Sequence, residues 1–221
     1  MKHAFLILIL LSQLLLLGCA AHTNLEPAGN GKLSANFNIG GPIVKAFGAR
    51  VPIPYATAGA NYGLNNKVDL NGNLHLFSLP YRIFGLDFGP TWYPFIKTGK
   101  IPTIGIQPRL LALASLKSTS EHFKIYPIIS SSAAWEWNSG LVYFGTDVTI
   151  PLSSSDYDEE AATVILSPFL GYKWTIGKRT HIFTEIKWHG ANVRADQLSV
   201  EYLHPGNYGA LSTLFSIQRS F

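Results

Sequence analysis

From about residue 32 to the end of the chain, apolar and polar residues alternate with a period of two, segment after segment. Val68, Leu70, Leu74 and Leu76 interleave with Lys67, Asp69, Asn71, Asn73 and His75. Phe84, Leu86, Phe88 and Trp92 interleave with Gly85, Asp87, Gly89 and Thr91. Ile182, Ile186 and Trp188 face away from His181, Glu185, Lys187 and His189. This is the pattern of strands with two unlike faces. It predicts ten strands, at about 32–40, 54–64, 67–79, 81–95, 101–116, 122–137, 139–152, 161–177, 179–194 and 208–221. Lengths of roughly 9 to 16 residues exceed those of ordinary soluble sheets and suit tilted strands that cross a bilayer.

The connections carry a second pattern. If the first strand starts on the periplasmic side, the connections at 65–66, 96–100, 138 and 178 are periplasmic and short. Those at 41–53, 153–160 and 195–207 are long and face outward, as in membrane barrels. The junction near Leu79-Pro80 is the exception: two strands joined tightly, or a boundary misplaced. In the same orientation Tyr62, Trp92, Phe95, Trp135, Trp137, Trp174 and Phe221 fall at the periplasmic strand ends, where headgroups favour aromatic rings. Pro90, Pro108, Pro127 and Pro168 fall inside predicted strands and lead to an expectation of bulges or shortened strands there.

Composition narrows the class. Charged residues make up 14% of the chain and aromatics 13%. Ordinary soluble domains carry roughly 25% charge. Beyond the N-terminus no run of 18 apolar residues would make a spanning helix. The predicted fold is therefore all-β: an antiparallel up-and-down β-barrel of about ten strands over 32–221. A soluble β-sandwich or lipocalin-like barrel, burying the same alternation in a core, stays open as the alternative. A net charge of +4 without a Lys/Arg cluster gives no footprint for nucleic acid.

The N-terminus supplies the compartment. Met1-Lys2-His3, an apolar run from Ala4 to Leu17 and Gly18 form a signal peptide, 1–18. Leu16-Leu17-Gly18-Cys19-Ala20 resembles the bacterial lipoprotein processing box. The resemblance implies cleavage before Cys19, the single cysteine, and acylation of it, palmitate included. Ala20 stands where an aspartate would imply inner-membrane retention, so the outer membrane is expected. Residues 19–31, with Pro27, Gly29, Asn30 and Gly31, read as a lipidated N-terminus and flexible tether. Phe221, with Ile217 and Phe215 alternating before it, resembles the C-terminal signal of outer-membrane barrels, and Arg219 departs from it. The chain as a whole resembles bacterial outer-membrane β-barrel proteins. Expected partners are outer-membrane lipid and lipopolysaccharide, with the lipoprotein-processing and barrel-assembly machinery. No cofactor is expected beyond the lipid on Cys19.

In a barrel the polar face lines the lumen. Its candidate network is Asp87, Arg109, Glu136, Asp147, Lys173, Glu185, Lys187 and His189, joined by Asp69, Lys124, His75 and His181. Ten strands enclose a space that side chains roughly fill. Mixed charge there is expected to pair, since unpaired buried charge is costly. A lipid A-modifying enzyme is the other functional class to weigh. His181, Glu185 and His189 share one strand face, but each four-residue step spans about 13 Å. That distance precludes a direct relay along the strand and a metal shared by the two histidines. Partners would have to come from neighbouring strands, such as Asp147 or Ser167, and no G-x-S-x-G elbow is present. The acidic loop 153–160 reads as a solvated rim or a divalent-cation site. The sequence thus points to a non-enzymatic envelope barrel, structural or forming a narrow conduit. A tethered periplasmic binding protein and a lipid A-modifying enzyme are the alternatives.

Overall fold

The structure is a computed structural model and describes residues 23–46, 49–52, 55–116, 123–151, 164–197 and 202–221. Cys19, the signal segment and the acidic loop 153–160 lie outside the described residues. Among the described residues eleven strands follow one another: β1 (Leu33–Ala46), β2 (Ala49–Pro52), β3 (Tyr55–Gly63), β4 (Val68–His75), β5 (Ile83–Phe95), β6 (Thr103–Ser115), β7 (Phe123–Trp137), β8 (Gly140–Thr149), β9 (Ile165–Ile176), β10 (Thr180–Arg194) and β11 (Tyr208–Ser220). From β3 onward each pairs antiparallel with the next, and β11 returns to β1, from Ser34 opposite Ser220 to Pro42 opposite Ser212. The result is a closed ten-stranded up-and-down barrel. β2 is not a stave: it pairs with the end of β1, Ile43 to Ala46, as a hairpin. The loop expected at 41–53 therefore includes paired β structure.

Both ends of the barrel chain lie on one rim, where the Phe221 amide donates to the Leu33 carbonyl. We call this the terminal rim and the opposite one the loop rim. Short hairpins close the terminal rim. At β7–β8 the turn is only two residues, and Asn138 takes a positive φ of 53°, the geometry such tight hairpins need. The β4–β5 connection is also tight, with a 3-10 turn at Leu79–Tyr81 followed by Arg82 at φ 59°. Pro80 sits in that turn, which resolves the irregular junction.

The polarity is the reverse of a soluble domain. Phe37, Leu70, Phe88, Ile129, Leu170 and Phe215 point outward and are 42 to 57% exposed. Asn38, Thr57, Asp69, Glu185, Lys187 and Ser212 point inward and are at most 2% exposed. A sandwich or lipocalin-like barrel would bury the apolar face, so both alternatives fail on this contrast. Closure leaves no sheet edge, and an apolar belt around a closed sheet is what lipid solvates.

Pro90, Pro108, Pro127 and Pro168 all face outward, and none shortens its strand. The β6–β7 register runs unbroken through Pro108 opposite Ile129 and Leu110 opposite Pro127. The β8–β9 register runs through Thr146 opposite Pro168. The expected bulges are absent at these three positions. On β5–β6, Phe88 opposite Leu110 and Trp92 opposite Ile106 set Pro90 across from Pro108. Two residues without N–H groups share one rung, so a single pair of ladder bonds is lost there rather than two.

The segment before β1 departs most from expectation. Instead of hanging free as a tether, Thr23, Asn24 and Leu25 are buried, Leu25 to 1%. The Ala28 amide donates to Asp69 Oδ2 (2.9 Å), and Glu26 pairs with Lys173 (2.7 Å). Asp69 is on β4 and Lys173 on β9, so the segment spans the lumen. The driving force is Leu25, which leaves water for a cluster of Ala134, Leu141, Tyr143, Phe169 and Phe183.

Candidate functional site

The lumen is built by the register. Because side chains alternate, every second residue of each stave points inward, and rows form where registers align. Across β8, β9 and β10 one row reads Tyr143, Gly171, Glu185. Gly171 is required: a Cβ there would run into the Tyr143 ring. The phenol crosses the glycine and donates to Glu185 Oε2 at 3.2 Å.

The charged centre follows from the neighbouring rows. Arg109 on β6 reaches Asp87 on β5 (3.3 Å) and Asp147 on β8 (3.1 Å). Lys187 on β10 reaches Asp147 (3.1 Å) and Glu185 (3.3 Å). Its ammonium also lies 5.3 Å from the centre of the Phe169 ring. All five charged side chains are almost wholly buried. Each ion offsets its neighbour's desolvation, which alone would cost several kcal/mol per ion. Towards the loop rim the chain of contacts continues through His75, 3.8 Å from Asp87 and 2.6 Å from the Tyr55 hydroxyl.

The opposite wall is mostly amides and hydroxyls, with Asp69 among them. Asn38 Nδ2 donates to Asn36 (3.0 Å) and Thr57 (2.9 Å), and Asn71 Nδ2 donates to Thr91 (2.8 Å). Gln107 donates to Asn71, and Asn73 donates to Asp87 (3.1 Å). Several buried oxygens on this lining have no donor among the described residues, including those of Asn38, Asn61, Asn73, Ser212 and Ser216. Apolar groups close both halves. Leu25 and its cluster fill the terminal half, and Leu111, Leu113, Tyr126 and Ile128 fill the space towards the loop rim.

Of the eight network residues expected from the sequence, Asp87, Arg109, Asp147, Glu185 and Lys187 form one connected cluster. His189 is buried on the same strand as Lys187. Lys173 is in the lumen, but its partner is Glu26 of the N-terminal segment. Glu136 is not in the lumen: it is exposed near the terminal rim and pairs with Lys97. As the penultimate residue of β7, it lies past the reach of the lumen. Glu26, Tyr93 and Tyr143 are outside the expected network: Glu26 lies in the segment read as a tether, and the two tyrosines carry no charge to mark them as partners.

His181 and His189, which share one strand face, stand at different depths of the barrel. His181 lies near the terminal rim, 3.2 Å from the Thr175 hydroxyl. His189 is in the lumen, and the Ser167 hydroxyl accepts the Gly190 amide at 3.2 Å. No group of three His, Cys, Asp or Glu able to hold a metal occurs among the described residues.

The interface aromatics take one rim. Tyr62, Trp92, Trp137, Trp174 and Phe221 all point outward near the terminal rim and are exposed. Trp135 stacks on Phe144, with ring centres 5.3 Å apart. Trp188 is nearer the loop rim and donates to the Tyr208 carbonyl (2.9 Å).

No protein-family model matches the chain. No curated protein matches it in sequence. Among solved structures, the NanC porin is similar over 86% of this chain and 98% of its own, with 10% identity and a TM-score of 0.45. The translocator domain of the autotransporter NalP from Neisseria meningitidis aligns over 100% of this chain and 95% of its own, at 8% identity and TM-score 0.41. The outer membrane protease OmpT from Escherichia coli aligns over 86% and 94%, at 10% identity and TM-score 0.39.

Proposed function

We propose that this chain is a bacterial outer-membrane β-barrel lipoprotein with a structural, non-catalytic role, its lumen closed by its own N-terminal segment. The observation that carries the reading is the seating of Thr23 to Ala28 inside an inside-out barrel. A lumen crossed by its own backbone, with most of its charges paired, is built to stay shut. The aromatic rim then faces the periplasm, and the loop rim faces outward.

The seated segment also shortens the anchor. Four residue steps separate Cys19 from Thr23, a reach of about 14 Å at full extension. An acylated Cys19 would hold the periplasmic mouth close to the inner leaflet rather than dangle on a long tether. The lipid is then a second attachment, fixing the closing segment where it enters the barrel.

The test is a Cys19→Ser comparison with labelled palmitate. The expected result is label on the wild type only, with both proteins resisting alkaline extraction from the membrane and shifting in mobility on heating. Release of the variant as a soluble protein would overturn the barrel reading. Equal labelling would overturn the anchor. Steady ion conductance of the full chain in a planar bilayer would overturn the closed lumen in favour of a narrow conduit, the role towards which the lining's unpartnered oxygens lean.

A further inference from the structure

We propose that the terminal end of the lumen is a binding site for a monovalent alkali cation, held by Asp69 with the side-chain oxygen of Asn61. Asp69 is fully buried. Its Oδ2 accepts three hydrogen bonds, from the Ala28 amide (2.9 Å), Asn61 Nδ2 (3.0 Å) and the Tyr93 hydroxyl (3.2 Å). All three donors are neutral. Its Oδ1 has no partner among the described residues.

The contrast with the other lumen carboxylates identifies the site. Asp87, Asp147 and Glu185 each have an Arg or Lys within 3.3 Å. No basic nitrogen of the described residues lies within ion-pair distance of Asp69. A buried carboxylate without a cation is among the costliest groups a fold can hold. Neutral hydrogen bonds offset part of that cost, but here they converge on one oxygen and leave the other open.

The surroundings supply a further oxygen. Asn61 Nδ2 is committed to Asp69, which fixes the other end of that amide as oxygen. That oxygen is buried and has no donor. Asn24 Oδ1 is likewise buried and undonated. Asn24 and the Tyr93 ring both border Gly105, where an added Cβ would meet Tyr93 at 3.6 Å and the Asn24 carbonyl at 3.7 Å. The hydroxyl of that ring is on Asp69, which puts the main chain at Asn24 on the same side of the lumen as the carboxylate.

An all-oxygen set selects a hard cation. One carboxylate among neutral amides balances one charge, whereas calcium sites gather six to eight oxygens with several carboxylates. The site therefore takes sodium or potassium. It reaches beyond the closed-barrel reading, because Ala28 and the cation would share one carboxylate. A filled site neutralises Asp69 where the N-terminal segment docks.

The test uses the full-length protein in detergent, with rubidium as the probe. Crystals grown in rubidium chloride should show an anomalous peak beside Asp69 Oδ1, lost in Asp69→Asn and weakened in Asn61→Ala. In solution the thermal midpoint should be a few degrees higher in sodium or potassium chloride than in choline chloride at equal ionic strength. Asp69→Asn should abolish that difference. If Asp69→Asn does not fold, Asn61→Ala and the wild-type salt comparison still decide. No peak at Asp69 and no salt-specific shift would overturn the proposal. So would an infrared band of a protonated carboxyl that disappears with Asp69→Asn, which would mean that a proton occupies the site. None of these readouts depends on conductance or lipidation.

Discussion

Tyr143 lies flat over Gly171, and that missing side chain lets its hydroxyl reach Glu185 one strand further on, at 3.2 Å. Gly171→Ala should therefore displace the ring and strip Glu185 of a donor together. Overpacking costs about 1–3 kcal/mol, and an unsatisfied buried acceptor adds about 1–3 kcal/mol. Urea midpoints of the detergent-solubilised barrel would measure the loss. Tyr143→Ser with Gly171→Ala should recover the share of the overpacking due to the ring, while the new methyl still crowds the Thr184 carbonyl at 2.6 Å. Purely additive losses would show that the two residues do not share this row.

Arg109 joins two staves, holding Asp87 and Asp147 from opposite sides. Arg109→Met keeps the volume and removes the charge. It should cost about 3–5 kcal/mol, because it leaves buried carboxylates short of a cation. Adding Asp87→Asn should return part of that, with a coupling of about 0.5–3 kcal/mol in the double-mutant cycle. Lys187 still holds Asp147, so Asp147→Asn should rescue less than Asp87→Asn. Equal rescue by either would argue against the connectivity.

Pro90 and Pro108 face each other across β5–β6 with neither N–H present. Pro90→Val supplies a donor to a carbonyl already in place. The new bond is worth about 0.5–1.5 kcal/mol. Loss of proline's restraint on the unfolded chain takes back about 0.4–1 kcal/mol. The expected outcome is a near-neutral change in stability with an amide at position 90 protected from hydrogen exchange. A freely exchanging amide would mean that the rung does not close.

The barrel was legible because a membrane barrel must contrast its two faces at every stave, and that contrast is written into alternate residues from Leu33 to Phe221. The paired charges on Asp87, Arg109, Asp147, Glu185 and Lys187 were legible for the same reason: their parity put them inside. What the pattern hid depends on register or on unpatterned chain. Glu136 has the inward parity but sits too near the rim to be enclosed. The β1–β2 hairpin read as a loop because Gly40 and Gly41, both at positive φ, and Pro42 interrupt the alternation. The N-terminal segment read as a tether because Pro, Gly and Asn dominate it. Its one large apolar residue before the strands, Leu25, was the signal that something was to be buried. Asp69 gave no hint that it alone would lack a basic neighbour, since that follows from which residues stand opposite it on β3 and β5.

The same leucine supports the last prediction. Leu25 is the apolar anchor of a segment otherwise held by Ala28 on Asp69 and Glu26 on Lys173. Leu25→Ala removes buried volume worth about 2–5 kcal/mol. The segment docks onto a barrel whose ladder closes without it, so the loss should appear as local opening rather than global unfolding. Two kcal/mol corresponds to about a 30-fold larger open population. In the wild type a zero-length carbodiimide should join Glu26 to Lys173, whose charged atoms are 2.7 Å apart. Leu25→Ala should reduce that cross-link and expose residues 23–31 to protease, while the barrel's heat-induced mobility shift stays where it was. If the cross-link persists and the whole barrel melts earlier instead, the segment is an integral part of the fold rather than a seated closure.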